Sequence, residues 1–269
     1  MIVLGVVGEE MGMGERRIVV VGVNVANSVD DLNDGSLSSS GSLTVFVEDD
    51  APIAGDISHN LVVPPLQTNL IFVLDTSGSM GWDAETGSET ITTQSRINLA
   101  LESIDAVISG YDGLGEVMVQ ISTFDSGNDS TSQDNWMTVD EALAFIGNGN
   151  VNDANGVLQP GGGTDYDRAV LEAEDGYDNP GKLLNDDGAV ANTVSYFLSD
   201  GKPITEGGSE SSVGITGAEV AEWTDFLVAN NINSYAVGFG SDLNAGDRLL
   251  LDPLAYNGAT EEERDGQIV

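Results

Sequence analysis

The sequence is short of several residue types, and each shortage excludes a class of function. It has no cysteine, which excludes disulfides, thiolate zinc sites and cysteine nucleophiles. It has eight lysine and arginine residues against 45 aspartate and glutamate residues, giving a formal net charge of −37. Because such a chain repels phosphate backbones and anionic lipid surfaces, we expect neither nucleic-acid binding nor attachment to an anionic membrane.

Long apolar runs are also missing. The longest runs, such as residues 18–23, fall well short of the roughly 18 residues that a membrane-spanning helix needs. Membrane insertion is therefore not expected. Hydrophobic residues still make up 40% of the 269 residues, which is enough for one large domain with room for a smaller one.

The composition changes near residue 65, which predicts two parts. Residues 17–25 and 42–48 are alternating β-type runs on either side of a turn-rich segment. Because two or three strands cannot form a stable sandwich alone, residues 1–65 are predicted to be a partial all-β segment followed by an extended linker. The prolines near the end of this part disfavour helix on either side.

From residue 66 to residue 269 the pattern alternates between strand and helix. Apolar or β-branched runs at residues 70–74, 117–124, 193–198 and 232–239 suit strands buried on both faces of a parallel sheet. The last residues resemble the start of another strand. This alternation predicts a doubly wound α/β domain with a mostly parallel sheet.

Two helices are predicted between these strands. In residues 95–110, four apolar residues share one helical face and Gly110 is a natural C-terminal stop; the four are Ile97, Leu101, Ile104 and Ile108. In residues 216–230, Thr216 and Glu219 form a plausible capping box, and the buried stripe is Val220, Trp223 and Leu227.

Oxygen-bearing side chains follow the predicted strands at the points where they end. Asp75, Ser77 and Ser79 form D-x-S-x-S after the first strand, Thr164 lies in GGGTDYDRA just ahead of a helix, and Asp200 follows the run at 193–198. Ligands of open α/β sheets collect at the carboxyl ends of strands. Strand-end Asp and Ser residues also cap turns, but capping does not explain the joint placement of all five.

The donor set suits a hard divalent cation. Mg²⁺ accepts hydroxyl, carboxylate and water oxygens in octahedral geometry and keeps several waters. If the three hydroxyls bind directly and the two carboxylates act through water, the ion stays electrophilic and can accept a carboxylate from another molecule. Such a site is a binding device without a nucleophile. Mg²⁺ is the expected ion, and the residues leave Mn²⁺ and Ca²⁺ open.

This set of residues resembles the von Willebrand factor A domain and its metal-ion-dependent adhesion site. The surroundings match in order and approximate spacing over residues 66–269: FVLDTSGSM, the helix containing Arg96, ISTF, GGGTD and FLSDGKP. The resemblance implies a Rossmann-like fold whose final helix is absent from this sequence. It also implies that Ser77, Ser79 and Thr164 touch the ion, that Asp75 and Asp200 often act through water, and that the usual activity is ion-dependent protein or cell-adhesive binding, without catalysis.

Residues 42–56, SLTVFVEDDAPIAGD, resemble the end of an immunoglobulin-like repeat of large bacterial adhesins of the repeats-in-toxin type. That resemblance implies type I secretion and a secreted or surface-exposed bacterial protein, of which this chain is a fragment. The expected partner is a protein that presents a carboxylate, either on another molecule or within the parent protein.

Two other functions compete with adhesion. A haloacid dehalogenase-type phosphatase also uses Mg²⁺ and an aspartate after its first strand, but it needs a general acid two residues later, where this chain has Ser77. An intracellular, metal-dependent scaffold of the same A-domain type remains open, because a high-salt cytosol would also explain the acidic composition.

Two acidic clusters could each hold a structural Ca²⁺, although a solvated loop is the preferred interpretation of both. The first is Asp83, Glu85 and Glu89, and the second is Asp125, Asn128, Asp129 and Asp134. Neither has the spacing of an EF-hand.

Overall fold

A computed structural model describes residues 66–89, 94–126, 131–148, 158–200, 203–205, 209–210, 214–215 and 217–269. The predicted β segment and linker at residues 1–65 lie outside this range. So do Asn128 and Asp129 of the second acidic cluster and Thr216 of the predicted capping box.

The described strands are, in chain order, β1 (Leu66–Asp75), β2 (Gly115–Phe124), β3 (Thr131–Ser132), β4 (Met137–Thr138), β5 (Asn192–Ser199), β6 (Ile204–Thr205), β7 (Ser209–Glu210), β8 (Ile232–Gly238), β9 (Tyr256–Asn257), β10 (Glu262–Glu263) and β11 (Gln267–Ile268). The helices are α1 (Arg96–Asp112), α2 (Val139–Asn148), α3 (Tyr166–Asp178), α4 (Gly217–Ala229) and α5 (Ala245–Leu251), with 3₁₀ turns at Gly78–Gly81 and Asp252–Leu254.

The four long strands pair in parallel in the order β2-β1-β5-β8, which confirms the predicted α/β fold with a mostly parallel sheet. Strand β11 adds to β8 in parallel, so the strand predicted at the last residues is also confirmed. The shorter strands β3 and β4 pair antiparallel with β2, and β9 and β10 extend the β8 side. Strands β6 and β7 pair antiparallel in a separate two-stranded sheet.

The central strand β1 is buried on both faces because its residues alternate between two cores. Leu70 and Phe72 pack with α1 and α2, whereas Ile71 and Val73 pack with α3, α4 and α5. The centre of the strand, Leu70–Leu74, is apolar at every position, as a strand covered on both sides requires. The polar residue that ends it, Asp75, therefore needs another explanation.

The predicted face of α1 is correct, but its predicted end at Gly110 is wrong. Ile104 and Ile108 are fully buried, and the helix continues to Asp112, with Gly113 as its C-cap. Two residues after this cap, β2 begins at Gly115 in close contact with β1, where a Cβ on Gly115 would lie 2.0 Å from the Leu66 carbonyl oxygen.

Helix α4 buries Trp223 and Leu227 as predicted, with Val220 partly buried beside them. None of the helices in the described part of the chain combines the length and apolar character that a membrane span requires.

Candidate metal centre

Asp75 ends β1 and is fully buried. Its Oδ1 accepts a hydrogen bond from the Ser77 amide at 2.7 Å, and its Oδ2 accepts one from the Ser199 hydroxyl at 2.5 Å. These bonds fix the carboxylate at the carboxyl edge of the sheet, because Ser199 ends the neighbouring strand β5.

Ser77 and Ser79 lie on the tight turn that follows. Ser77 is buried and precedes the 3₁₀ turn Gly78–Gly81, where the Met80 amide donates to the Ser77 carbonyl. The hydroxyl oxygens of Ser77 and Ser79 are 3.3 Å apart. The turn therefore directs two neutral oxygens to one point.

The glycine-rich loop that carries Thr164 is bonded to this turn through the backbone. The Gly161 amide donates to the Thr76 carbonyl at 2.8 Å, and the Gly78 amide donates to the Gly162 carbonyl at 3.1 Å. Thr164 itself is buried, and its hydroxyl oxygen has no hydrogen-bond partner.

Gly162 shows why this loop requires glycine. Its φ is +69°, in the left-handed region, and a Cβ there would lie 2.8 Å from Asp125 Oδ2. The next residue, Gly163, exchanges hydrogen bonds with Ser126 after β2. The loop is thus hydrogen-bonded to the segments that follow β1 and β2.

Asp200 follows β5 and is also buried. Its Oδ2 accepts from Arg96 Nη1 at 2.8 Å, while its Oδ1 has no hydrogen-bond partner. Arg96 is 2% exposed and also reaches Asp242 Oδ1 at 2.5 Å. One oxygen of Asp200 is therefore bound to a cationic side chain, and the other is left unpaired.

Two buried carboxylates lie close enough to influence each other. Burial, and then the charge of Asp200, raise the pKa of Asp75 to about 7, although Ser199 and Ser77 act to lower it. Burial also raises the pKa of Asp200, although the nearby Ser79 hydroxyl and the charge of Arg96 act to lower it. Arg96 already pairs with Asp200 and Asp242, so a further negative charge on the buried Asp75 is costly.

Two hydrogen bonds in series connect Asp75 to the buried Tyr166 through Ser199. The buried Tyr166 hydroxyl donates to Ser199 Oγ at 3.1 Å, and Ser199 in turn donates to Asp75. Burial raises the pKa of Tyr166 well above its ordinary value, so it stays a proton donor. These two hydrogen bonds hold the Asp75 carboxylate as an acceptor in a fixed orientation.

The structure therefore brings Asp75, Ser77, Ser79 and Asp200 together, and backbone bonds tie the loop of Thr164 to the same turn. Within the described ranges, no group of three or more His, Asp or Glu residues could hold a metal. The set instead relies on hydroxyl oxygens with two carboxylates. The unpaired oxygens of Thr164 and Asp200 fit a hard cation.

Sequence reasoning missed the roles of Arg96, Asp242, Ser199 and Tyr166. Arg96 and Asp242 are 146 residues apart in the chain, and no sequence spacing connects them. Ser199 precedes Asp200 directly, which was the one available signal.

In the first acidic cluster, Asp83 accepts hydrogen bonds from the amides of Glu85 and Thr86 and from the Thr86 hydroxyl. These are the bonds of a capped turn, and Glu85 and Glu89 are exposed.

Comparisons with known proteins support the fold. No family model matches the chain, and no curated protein matches it. Among solved structures, the PilB minor pilin from Streptococcus sanguinis aligns with a TM-score of 0.50 and 16% identity over 78% of this chain and 58% of that chain. Its D319A mutant aligns with a TM-score of 0.52 and 13% identity over 89% of this chain and 68% of that chain.

A von Willebrand factor type A protein from Catenulispora acidiphila is also among the matches, with a TM-score of 0.44 and 18% identity over 71% of this chain and 37% of that chain. The chain spans 58% and 68% of the two pilin structures. At these identities the likeness to the pilin structures is one of fold alone.

Proposed function

We propose that residues 66–269 form a von Willebrand factor A-type binding module that recognises a protein partner through a divalent cation, with Mg²⁺ as the expected ion. The observation that carries the proposal is the pair of buried, unpaired oxygens, Thr164 Oγ1 and Asp200 Oδ1. An unpaired buried oxygen costs about 1–3 kcal/mol, and a cation at this edge would satisfy both.

The hydrogen bonds support a division of roles among the five residues. Both oxygens of Asp75 already accept hydrogen bonds, and one oxygen of Asp200 is bound to Arg96. The hydroxyls of Ser77, Ser79 and Thr164 would therefore hold the ion directly, and Asp75 and Asp200 would act through water. When bound, the ion supplies a positive centre that can accept a carboxylate from another molecule.

The proposed partner is a protein that presents an aspartate or glutamate, on another molecule or elsewhere in the parent protein. We propose binding rather than catalysis because Ser77 stands where a Mg²⁺-dependent phosphatase of similar topology needs its general acid. A surface-exposed bacterial location, as in a repeats-in-toxin adhesin, follows from the sequence resemblance. The likeness to a minor pilin shows only that this fold also occurs in a pilus protein.

Isothermal titration of Mg²⁺, Ca²⁺ and Mn²⁺ into chelator-stripped protein tests the proposal. We expect one saturable site that the Ser77→Ala, Ser79→Ala double variant weakens by at least about 100-fold. The matched control is Ser103→Ala, Ser109→Ala, since these hydroxyls bond only within α1, to Leu99 O and Asp105. Absent binding, or equal binding in both double variants, would overturn the proposal.

A further inference from the structure

Arg96 links the candidate metal centre to the protein surface. Its Nη1 donates to Asp200 Oδ2 at 2.8 Å and lies 3.5 Å from the Ser79 carbonyl oxygen, and its Nη2 donates to Asp242 Oδ1 at 2.5 Å. The side chain of Asp200 is 2% exposed, whereas that of Asp242 is 41% exposed. One rigid guanidinium thus connects a buried carboxylate with one that meets solvent.

The loop that carries Asp242 is shaped around this guanidinium. Gly240 has a φ of +143°, and a Cβ there would lie 2.9 Å from Arg96 Nε. The backbone therefore approaches Arg96 as closely as only a residue without a side chain allows.

The same loop is bonded to the segment that follows the serine turn. The Ser241 amide donates to the Ala84 carbonyl at 2.9 Å, and its hydroxyl donates to the Glu85 carbonyl at 2.7 Å. The Trp82 ring centre lies 5.6 Å from Arg96 Cζ. We call this surface the rim and define it as Trp82, Ala84, Glu85, Ser241 and Asp242.

We propose that Arg96 is a positioning residue that couples the rim to the ion, so that an ion at the site orders the rim. The proposal rests on the proposed function, because it needs an ion at the site. A divalent ion beside Asp200 would also repel the guanidinium and weaken its net attraction to Asp200, so Arg96 would rely more on Asp242. A tighter bond to Asp242 holds the loop of residues 240–242 against Ala84 and Glu85.

Coupling between two sites is reciprocal. Whatever factor the ion adds to the stability of the rim, the intact rim must add to the affinity for the ion.

Amide hydrogen exchange with Mg²⁺ alone as the probe tests this on the full chain. Adding Mg²⁺ to chelator-stripped protein should slow exchange of the Ser241 amide by at least about fivefold, the lower end of usual coupling. The turn at residues 185–189, closed by the Gly188 amide on the Asn185 carbonyl, should not respond.

Asp242→Asn is the test variant, because Asp242 contacts Arg96 from the surface and is not a proposed ion ligand. It should abolish the slowing at Ser241 and lower the affinity for Mg²⁺ by the same factor, about fivefold or more. Asp265→Asn is the matched control, since Asp265 is exposed and lies 3.5 Å from a different arginine, Arg248. It should leave both quantities unchanged.

The outcomes separate this inference from the proposed function. Saturable Mg²⁺ binding without a change at Ser241 overturns the inference and leaves the proposed function standing. An Asp242→Asn variant that binds Mg²⁺ as tightly as the parent protein also overturns the inference. A parent protein that binds no ion overturns both.

Discussion

Asn69 and Asp75 lie on the same face of the same strand, and both are fully buried. Asn69 forms a closed, neutral pair with one backbone position: its Nδ2 donates to the Leu183 carbonyl at 3.1 Å, and its Oδ1 accepts from the Leu183 amide at 2.8 Å. Its hydrogen bonds are complete without any outside partner.

Asp75 also accepts two hydrogen bonds, yet the negative charge around it is not offset. A second carboxylate, Asp200, lies close by, and the pKa of Asp75 rises to about 7. The comparison shows that hydrogen bonds alone do not distinguish a structural polar residue from a functional one. What distinguishes Asp75 is a charge that the fold itself does not neutralise.

The largest expected effect is a pH dependence of the ion-free protein that originates at Asp75. Its carboxyl group holds a proton more tightly in the folded protein, because its pKa rises from 3.8 to about 7. The stability this contributes is complete below about pH 4 and is lost as the pH rises through about 7. Between pH 5 and pH 8 the loss should be about 3 kcal/mol, measured by urea unfolding in the presence of chelator.

Asp75→Asn isolates this step from the general repulsion of a chain with a net charge of −37. The free energy of unfolding of the variant should change less between pH 5 and pH 8 than that of the parent protein. Parallel pH profiles for the two proteins would show that Asp75 titrates normally.

A smaller effect on stability should come from replacing Asn69. Asn69→Ala leaves the Leu183 amide and carbonyl without their side-chain partner, so the free energy of unfolding should fall by about 2 kcal/mol. Because Asn69 is far along β1 from the site, affinity for Mg²⁺ should stay within about twofold. A large loss of Mg²⁺ affinity with little loss of stability would show that Asn69 belongs to the site.

The smallest effect is expected at Tyr166, which lies two hydrogen bonds away from Asp75. Tyr166→Phe removes the hydroxyl that donates to Ser199, which should cost about 1 kcal/mol of stability and about threefold in affinity for Mg²⁺, less than for a direct partner of a ligand. Tyr111→Phe is the control, because its hydroxyl lies 3.5 Å from the Tyr196 hydroxyl and not beside a residue of the site. Equal Mg²⁺ affinities in the two variants would remove Tyr166 from the site.

Much of the fold could be predicted because it depends on local patterns. The four buried parallel strands are continuous apolar runs, and the buried face of α1 follows from helical spacing. The end of α1 could not be predicted, because Gly110 and Gly113 are both candidate stops and helical spacing does not choose between them. The short antiparallel strands β3, β4, β9 and β10 have two residues each, too few to leave a periodic signal.

Four of the five site residues were predicted from their places after strands and Thr164 from its place ahead of a helix, together with a family resemblance. Their supporting residues were not. Arg96 could equally have been a surface residue of α1, and only the folded chain shows it buried between Asp200 and Asp242. A partner of opposite charge more than 100 residues away leaves no mark on local sequence.

The position of β1 has a mechanical consequence. Leu66 begins this strand and Asp75 ends it, and along its length it pairs in parallel with β2 on one side and β5 on the other. A pull between the chain that precedes Leu66 and a ligand held beyond Asp75 would act along the strand axis. Its hydrogen bonds to both neighbours would then share the load together, instead of opening one after another from an end.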